Sequence, residues 1–176
     1  MTIIPDYTKQ QTPALKPLLF FNIRCKDPKD VYTNDSLSQK HVAIVGGFVV
    51  SLDDSYKFDA KILHGGDDIT FYTSDPSTGH LDCSMYLQFN DDANQIGLVT
   101  YSGLVKFEGK TADVVSSTAS EMTFEEGYVT SHPIFKLNGD LKDESWVLNH
   151  NMIGKGRFVR DKDNVLHVQY YIYGFA

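Results

Sequence analysis

The sequence predicts an all-β protein, a single closed or nearly closed antiparallel β-barrel. Three observations predict it. Ten Tyr and eleven Phe occur among 176 residues, and aromatic and β-branched side chains pack best on a pleated sheet. Apolar and polar residues alternate with period 2 in run after run, and short turn-rich stretches join the runs. No segment carries a firm helical period; the best candidate, 111–125, is polar and supports a short helix at most. Eight or more such strands suit a sandwich or a barrel. The barrel is preferred because the polar rows are rich in Tyr, Asp, Ser and Gln, where a solvent-facing sheet would favour Lys and Glu. Such rows could line a semi-polar cavity.

Each element follows from its local pattern. Residues 1–17 hold three prolines and no clear period, so they read as an N-terminal arm, and 18–176 as one barrel domain. The first strand is 18–25, followed by a loop over 26–40. A buried strand, 41–52, contains Gly46-Gly47, a pair that permits sharp curvature in a barrel. Strands 56–63 and 69–74 flank a second glycine pair, Gly65-Gly66. Residues 80–89 place Leu81, Cys83, Met85, Leu87 and Phe89 on one face, and Asp82, Ser84, Tyr86 and Gln88 on the other. After a turn at 90–95 comes a long strand, 96–107, then a loop over 108–122. Strands at 127–137, 145–154, 156–161 and 165–175 complete the chain, the last two joined as a hairpin through 161–164.

Composition narrows the function. The length suits one domain with a proper core. A net charge of −7 without a basic cluster disfavours nucleic acid and anionic membrane surfaces as partners. No apolar run is long enough to span a bilayer, and the N-terminus lacks the basic start and apolar core of a secretory signal. A soluble cytoplasmic protein is therefore expected, and the lone sequon at Asn34 reads as chance. Two cysteines, Cys25 and Cys83, are too few for a disulfide framework and read as small buried hydrophobes.

The stretch "ILHGGDDITFY", 62–72, is the most informative. Its glycines read as a bend or bulge between two strands. Counted in twos, Asp68, Thr70 and Tyr72 share one face, and Ile69 and Phe71 the other. If polar rows line the cavity, Asp68 faces inward. Asp67 then faces outward, which also separates two like charges.

"AIVGGFV", "ILHGGDDI", "LDCSMYLQFNDD", "YVTSHPIF" and "SWVLNHNMIGKG", in this order, resemble the motif series of the domain-of-unknown-function 3237 family, small all-β proteins of bacteria and fungi. The resemblance spans roughly 18–175 and implies a calycin-like or allene-oxide-cyclase-like barrel, without a well-established activity. The family's Gly-Gly-x-Asp-aromatic block falls on Gly65, Gly66 and Asp68, with Ile69 where tryptophan is usual. A second block falls on Asp82, with Ser84 where arginine is frequent. A third falls on Trp146, Leu148 and Asn149, with His150 in place of arginine. If those arginines normally bind an anionic ligand, this chain lacks them.

The side chains themselves suggest acid–base chemistry. Two close carboxylates in a low-dielectric cavity cannot both ionise easily, so one pKa rises and a general acid or base results. Asp68 and Asp82 are the candidate catalytic pair; otherwise each caps a turn or accepts backbone N–H groups at a barrel corner. Tyr72 and Tyr86 could donate to a carbonyl or enolate oxygen, or simply pack. His64, His132 and His150 are candidate bases. No two histidines have ligand spacing, so no metal is expected. Trp146 would form core or cavity wall, and Asn149 would orient a ligand carbonyl or bridge strands. No nucleophile elbow, phosphate loop or dinucleotide fingerprint appears, so no cofactor is expected. Cys83 lies on an apolar face, where burial keeps a thiol inert.

Three readings follow. The first is a cofactor-free isomerase, cyclase or lyase acting on a carbonyl-containing or polyketide-like molecule. The second is a ligand-binding barrel without chemistry. The third is a structural or oligomer-forming barrel filled by its aromatics. In the first two the partner is a small molecule, and a homo-oligomer is compatible with an apolar outer face.

Overall fold

The computed structural model describes residues 14–175. Nine strands form one antiparallel sheet: β1 (Leu15–Cys25), β2 (Lys29–Thr33), β3 (Leu37–Ser51), β4 (Asp59–Tyr72), β5 (Asp75–Phe89), β6 (Ile96–Lys106), β7 (Thr130–Leu137), β8 (Met152–Arg160) and β9 (Leu166–Phe175). They lie in the order β1-β9-β8-β7-β6-β5-β4-β3-β2, and β1 also pairs with β3. That extra pairing closes eight strands into the expected barrel. β2, which pairs only with β3, is left as an exposed flap.

Closure depends on a bend in β3. This strand keeps β4 on one edge over Leu37–Val50, with the pairing interrupted between Ile44 and Gly47, while its other edge passes from β2 at Ser38–His41 to β1 at Ile44–Ser51. Its register against β1 shifts between Arg24 and Cys25. Gly46 and Gly47 sit at the bend with φ of +146° and +132°, and a Cβ on Gly47 would lie 2.0 Å from the Asn22 carbonyl oxygen. Only glycine fits there.

An eight-stranded barrel is just wide enough for side chains to fill it. Its inner rows are apolar: Leu19, Phe21 and Ile23 on β1, Leu81, Cys83, Met85, Leu87 and Phe89 on β5, Val168, Tyr170 and Ile172 on β9. One end is plugged by rings. Phe58 meets Phe89, Phe135 and Trp146 edge-on at 5.2, 5.5 and 6.2 Å between centroids, and Phe135 meets Phe21 at 6.2 Å. The other end is covered by α1 (Gly109–Val115), which buries Thr111 and Val114.

Several expectations change. The segments 56–63 and 69–74 are not two strands around a turn; β4 runs through Gly65-Gly66 without a break. Its register with β5 is irregular between Ile62 and Gly65. Ala60 and Ile62 face inward before that irregularity, and Asp67, Ile69 and Phe71 after it. The bulge thus moves the inner row from even to odd positions. The supposed strand start at 145–151 is a 3-10 helix, Ser145–Asn149, with β8 beginning at Met152. The loop 26–40 contains β2, and 108–122 contains α1. Residues 15–17 of the expected arm already belong to β1, and 1–13 lie outside the described residues.

Gly47→Ala should cost about 2–4 kcal/mol in urea unfolding, because both its dihedral and its Cβ are excluded. Gly139→Ala, where an added Cβ meets nothing within 4 Å, should stay within about 0.5 kcal/mol.

Candidate active site

Asp68 and Asp82 do come together, but on the outside. They are direct cross-strand partners between β4 and β5. The Asp68 side chain is 50% exposed, with an oxygen 2.7 Å from His41 Nδ1, and Asp82 is exposed. The row continues outward-facing through Ser102 and His132. The expectation that Asp68 faces the cavity and Asp67 faces solvent is reversed. Asp68, Thr70 and Tyr72 do share a face, but it is the outer one. Filling the interior with the apolar row removes more hydrocarbon from water than filling it with the polar row.

The other expected ligand contacts also lie outside the barrel interior. Tyr72 and Tyr86 are 44% and 43% exposed. Tyr72 meets His80 edge-on at 5.0 Å, and Tyr86 lies against His64 at 5.3 Å. Trp146 packs at the plugged end, donating its indole N–H to the Lys57 carbonyl at 2.9 Å and lying 4.6 Å from the Tyr56 ring. His150 sits beside it, Nδ1 2.8 Å from the Trp146 carbonyl oxygen. Asn149 is exposed.

The interior instead holds Asp67. Pairing places Val42, Asp67, Cys83 and Tyr101 side by side on β3, β4, β5 and β6. Asp67 is only 8% exposed. The Tyr101 hydroxyl donates to its Oδ2 at a long 3.4 Å. Its Oδ1 is fully buried and has no hydrogen-bond partner among the described residues. Tyr170 reaches in from β9, 5.7 Å from Tyr101 between ring centroids. Burial pushes the Asp67 carboxyl up to about 7; hydrogen bonding from the Asp82 backbone and Tyr101 opposes the shift, and the charges of Asp68 and Asp82 add to it. Burial likewise raises both phenols, so Tyr101 and Tyr170 stay neutral. It raises the Cys25 thiol to about 12 and Cys83 well above its usual value. Both cysteines are buried and unpaired, as their sequence context suggested.

Asp67 lines a cavity of about 20 Å³ among Cys25, Ile44, Ile69, Tyr101 and Tyr170. That is room for roughly one water. A groove of about 340 Å³, lined by Lys40, Phe71 and Asp27, lies directly outside it at the α1 end. Pro28, Ile69, Phe107 and Val115 border both spaces. Among the described residues no group of His, Cys, Asp or Glu has the arrangement of a metal site. Sequence reasoning missed Asp67, Tyr101 and Tyr170. The available signal was a lone carboxylate on the apolar row of Ile69 and Phe71.

The family described as "Protein of unknown function (DUF3237)" matches residues 13–175. The chain belongs to this family. Among curated proteins, none matches. Solved structures share the fold of this DUF3237 barrel at low identity. A conserved protein of unknown function from Rhodopseudomonas palustris is 14% identical with a TM-score of 0.70, over 95% of this chain and 100% of that one. A beta-barrel like protein from Acinetobacter baumannii is 15% identical with a TM-score of 0.63, over 94% and 99%. A protein described as an enzyme, from Penicillium herquei, is 14% identical with a TM-score of 0.56, over 94% and 98%.

The buried acid gives this DUF3237 barrel a pH signature. The folded pKa of Asp67, about 7, lies above its ordinary 3.8. The folded state therefore holds the proton more tightly, and the stability it brings is complete below pH 3.8 and lost as pH rises through 7. The loss amounts to about 4 kcal/mol. Part of that loss already lies below pH 5, so urea unfolding at pH 5 and pH 8 should differ by about 2.6 kcal/mol, and Asp67→Asn should remove most of the difference.

Proposed function

We propose that the barrel binds a small, largely apolar molecule bearing a carbonyl or phenolic oxygen, and that Asp67 is its proton donor and acceptor. The observation that carries this reading is the partnerless Asp67 Oδ1 lining an otherwise apolar cavity. An unsatisfied buried acceptor costs about 1–3 kcal/mol, so its retention favours a role in meeting a ligand. A carboxyl near pH 7 can give and take a proton at comparable cost, the property a general acid–base group needs. The neutral Tyr101 phenol orients the carboxyl and offers a second donor to a developing oxyanion. The ligand's oxygen-bearing tip would reach Asp67 while its body lies in the groove at Ile69, Phe71 and Phe107.

This supports a cofactor-free isomerase, cyclase or lyase working by proton transfer on a carbonyl-containing or polyketide-like substrate. A neighbour of the same fold is described as an enzyme. Binding without turnover is the second reading, favoured by the single carboxylate in the cavity where a pair was expected. The protein would act in the cytoplasm, alone or as a homo-oligomer.

A thermal-shift panel of aromatic ketones and phenols tests binding. Ligands that raise Tm for the wild type at pH 6 should bind about tenfold more weakly to Asp67→Asn, and unchanged to the outer-face double variant Asp68→Asn/Asp82→Asn. Equal binding to wild type and Asp67→Asn would refute the assignment. Chemistry is tested by NMR in D2O: wild type should speed deuterium exchange at the carbon next to the carbonyl, and Asp67→Asn should not.

A further inference from the structure

We propose that the ligand reaches Asp67 through the α1 end of the barrel, past a two-part gate that Arg160 latches shut. The groove and the cavity are separated by only four side chains: Pro28, Ile69, Phe107 and Val115. Ile69 belongs to β4, and Phe107 directly follows β6. Pro28 and Val115 sit on less anchored pieces. Pro28 lies between β1 and the β2 flap, whose residues are all exposed and whose only strand partner is β3. Val115 ends α1, a seven-residue helix bounded by two left-handed residues, Gly109 at φ +54° and Ser117 at φ +65°. Such positions concentrate the backbone change when a short element swings.

Arg160 touches both halves. Its side chain is only 2% exposed. Its Nε donates to the Val114 carbonyl at 2.7 Å and its Nη2 to the Val115 carbonyl at 2.7 Å. These are C-terminal carbonyls of α1, where a cation is favoured. The same Nη2 donates to Asp27 Oδ1 at 2.8 Å, and Nη1 to the Asn164 carbonyl at 2.9 Å. One guanidinium thus ties the helix to the residue before Pro28, and fastens both to the β8–β9 hairpin. Nothing in the proton-transfer reading requires a buried arginine here; the geometry is that of a clasp.

Closed, the cavity admits about one water. Swinging Pro28 and Val115 aside joins it to the groove of about 340 Å³, within the range of small-molecule sites. The gate rests on the reading of Asp67 as the ligand contact, but its opening is measurable without a ligand. Cys25 lines the cavity, whereas Cys83 does not and is completely buried. Cys83 therefore reports global unfolding, and because Cys25 also borders an outer groove of about 590 Å³ beside Asp27, opening of this end is read from Cys25 labelling together with exchange across α1.

The variant is Asp27→Ala. The Asp27 side chain is 69% exposed, so its loss removes one latch contact and little packing. Alkylation by N-ethylmaleimide, with each cysteine followed by peptide mass spectrometry, should label Cys25 faster than Cys83 in the wild type. Asp27→Ala should accelerate Cys25 roughly fivefold and leave Cys83 unchanged. Amide hydrogen exchange should quicken across α1 as well as at 26–29, because Arg160 hydrogen-bonds both Asp27 and the α1 carbonyls. Equal rates for the two cysteines, or no acceleration of Cys25 by the variant, would overturn the gate. An unchanged α1 would overturn the latch. Either result leaves the Asp67 reading to its own binding test.

Discussion

The pairing of β1 with β3 is the contact on which the rest of this molecule depends. It turns a nine-stranded sheet into a closed barrel of eight strands and one flap. Without closure the inner rows would be one face of an open sheet, and Asp67 would be a solvated carboxylate. Closure in turn requires β3 to hold β4 on one edge and β1 on the other, and at Gly47 the β1 backbone comes so close that a side chain is excluded. A local backbone constraint at Gly46-Gly47 is thereby linked to the electrostatics of a carboxylate on the neighbouring strand.

Asp67 and Asp68 show how much the environment decides. They are adjacent in sequence and chemically identical. Asp68 faces solvent and shares a short contact with His41. Asp67 is enclosed by the apolar row, and its carboxyl is held near neutrality by burial. In water the charged form of a carboxyl is stabilised by hydration; inside the barrel only a long hydrogen bond from Tyr101 and the nearby Asp82 backbone replace it. The outer Asp68–Asp82 pair has the side-chain types of an acid–base dyad without the enclosure. The inner position has the enclosure with one carboxylate and two tyrosines.

The barrel's two ends are built differently. One is plugged by Phe58, Phe89, Phe135 and Trp146, rings in edge-to-face contact. The other is covered by a short helix and a flap held through polar contacts to one buried arginine. Close-packed aromatics are unsuited to reversible opening, whereas hydrogen bonds to a single side chain can be exchanged for water. That asymmetry directs any traffic to Asp67 toward the α1 end.

Much of the fold was legible in the sequence because period-2 alternation and aromatic content act locally. The all-β class, the final hairpin, the apolar face carrying Cys83 and the family pattern follow from such signals; the barrel was preferred for inward polar rows, which in the structure face outward. Residues 80–89 were grouped correctly by face because their alternation is unbroken, although Asp82 and Tyr86 were expected inside and β5 already begins at Asp75. The stretch 62–72 was placed on the wrong side because the polar rows were expected to line the cavity, and they face solvent. Parity correctly grouped Asp68 with Thr70 and Tyr72, but parity alone does not say which of two rows is inside. The sequence by itself determined the all-β class and which neighbouring residues share a face. Only the tertiary structure decided which face is inside, because that depends on every strand filling one shared interior. The choice of Asp67 over Asp68 therefore belongs to the barrel as a whole.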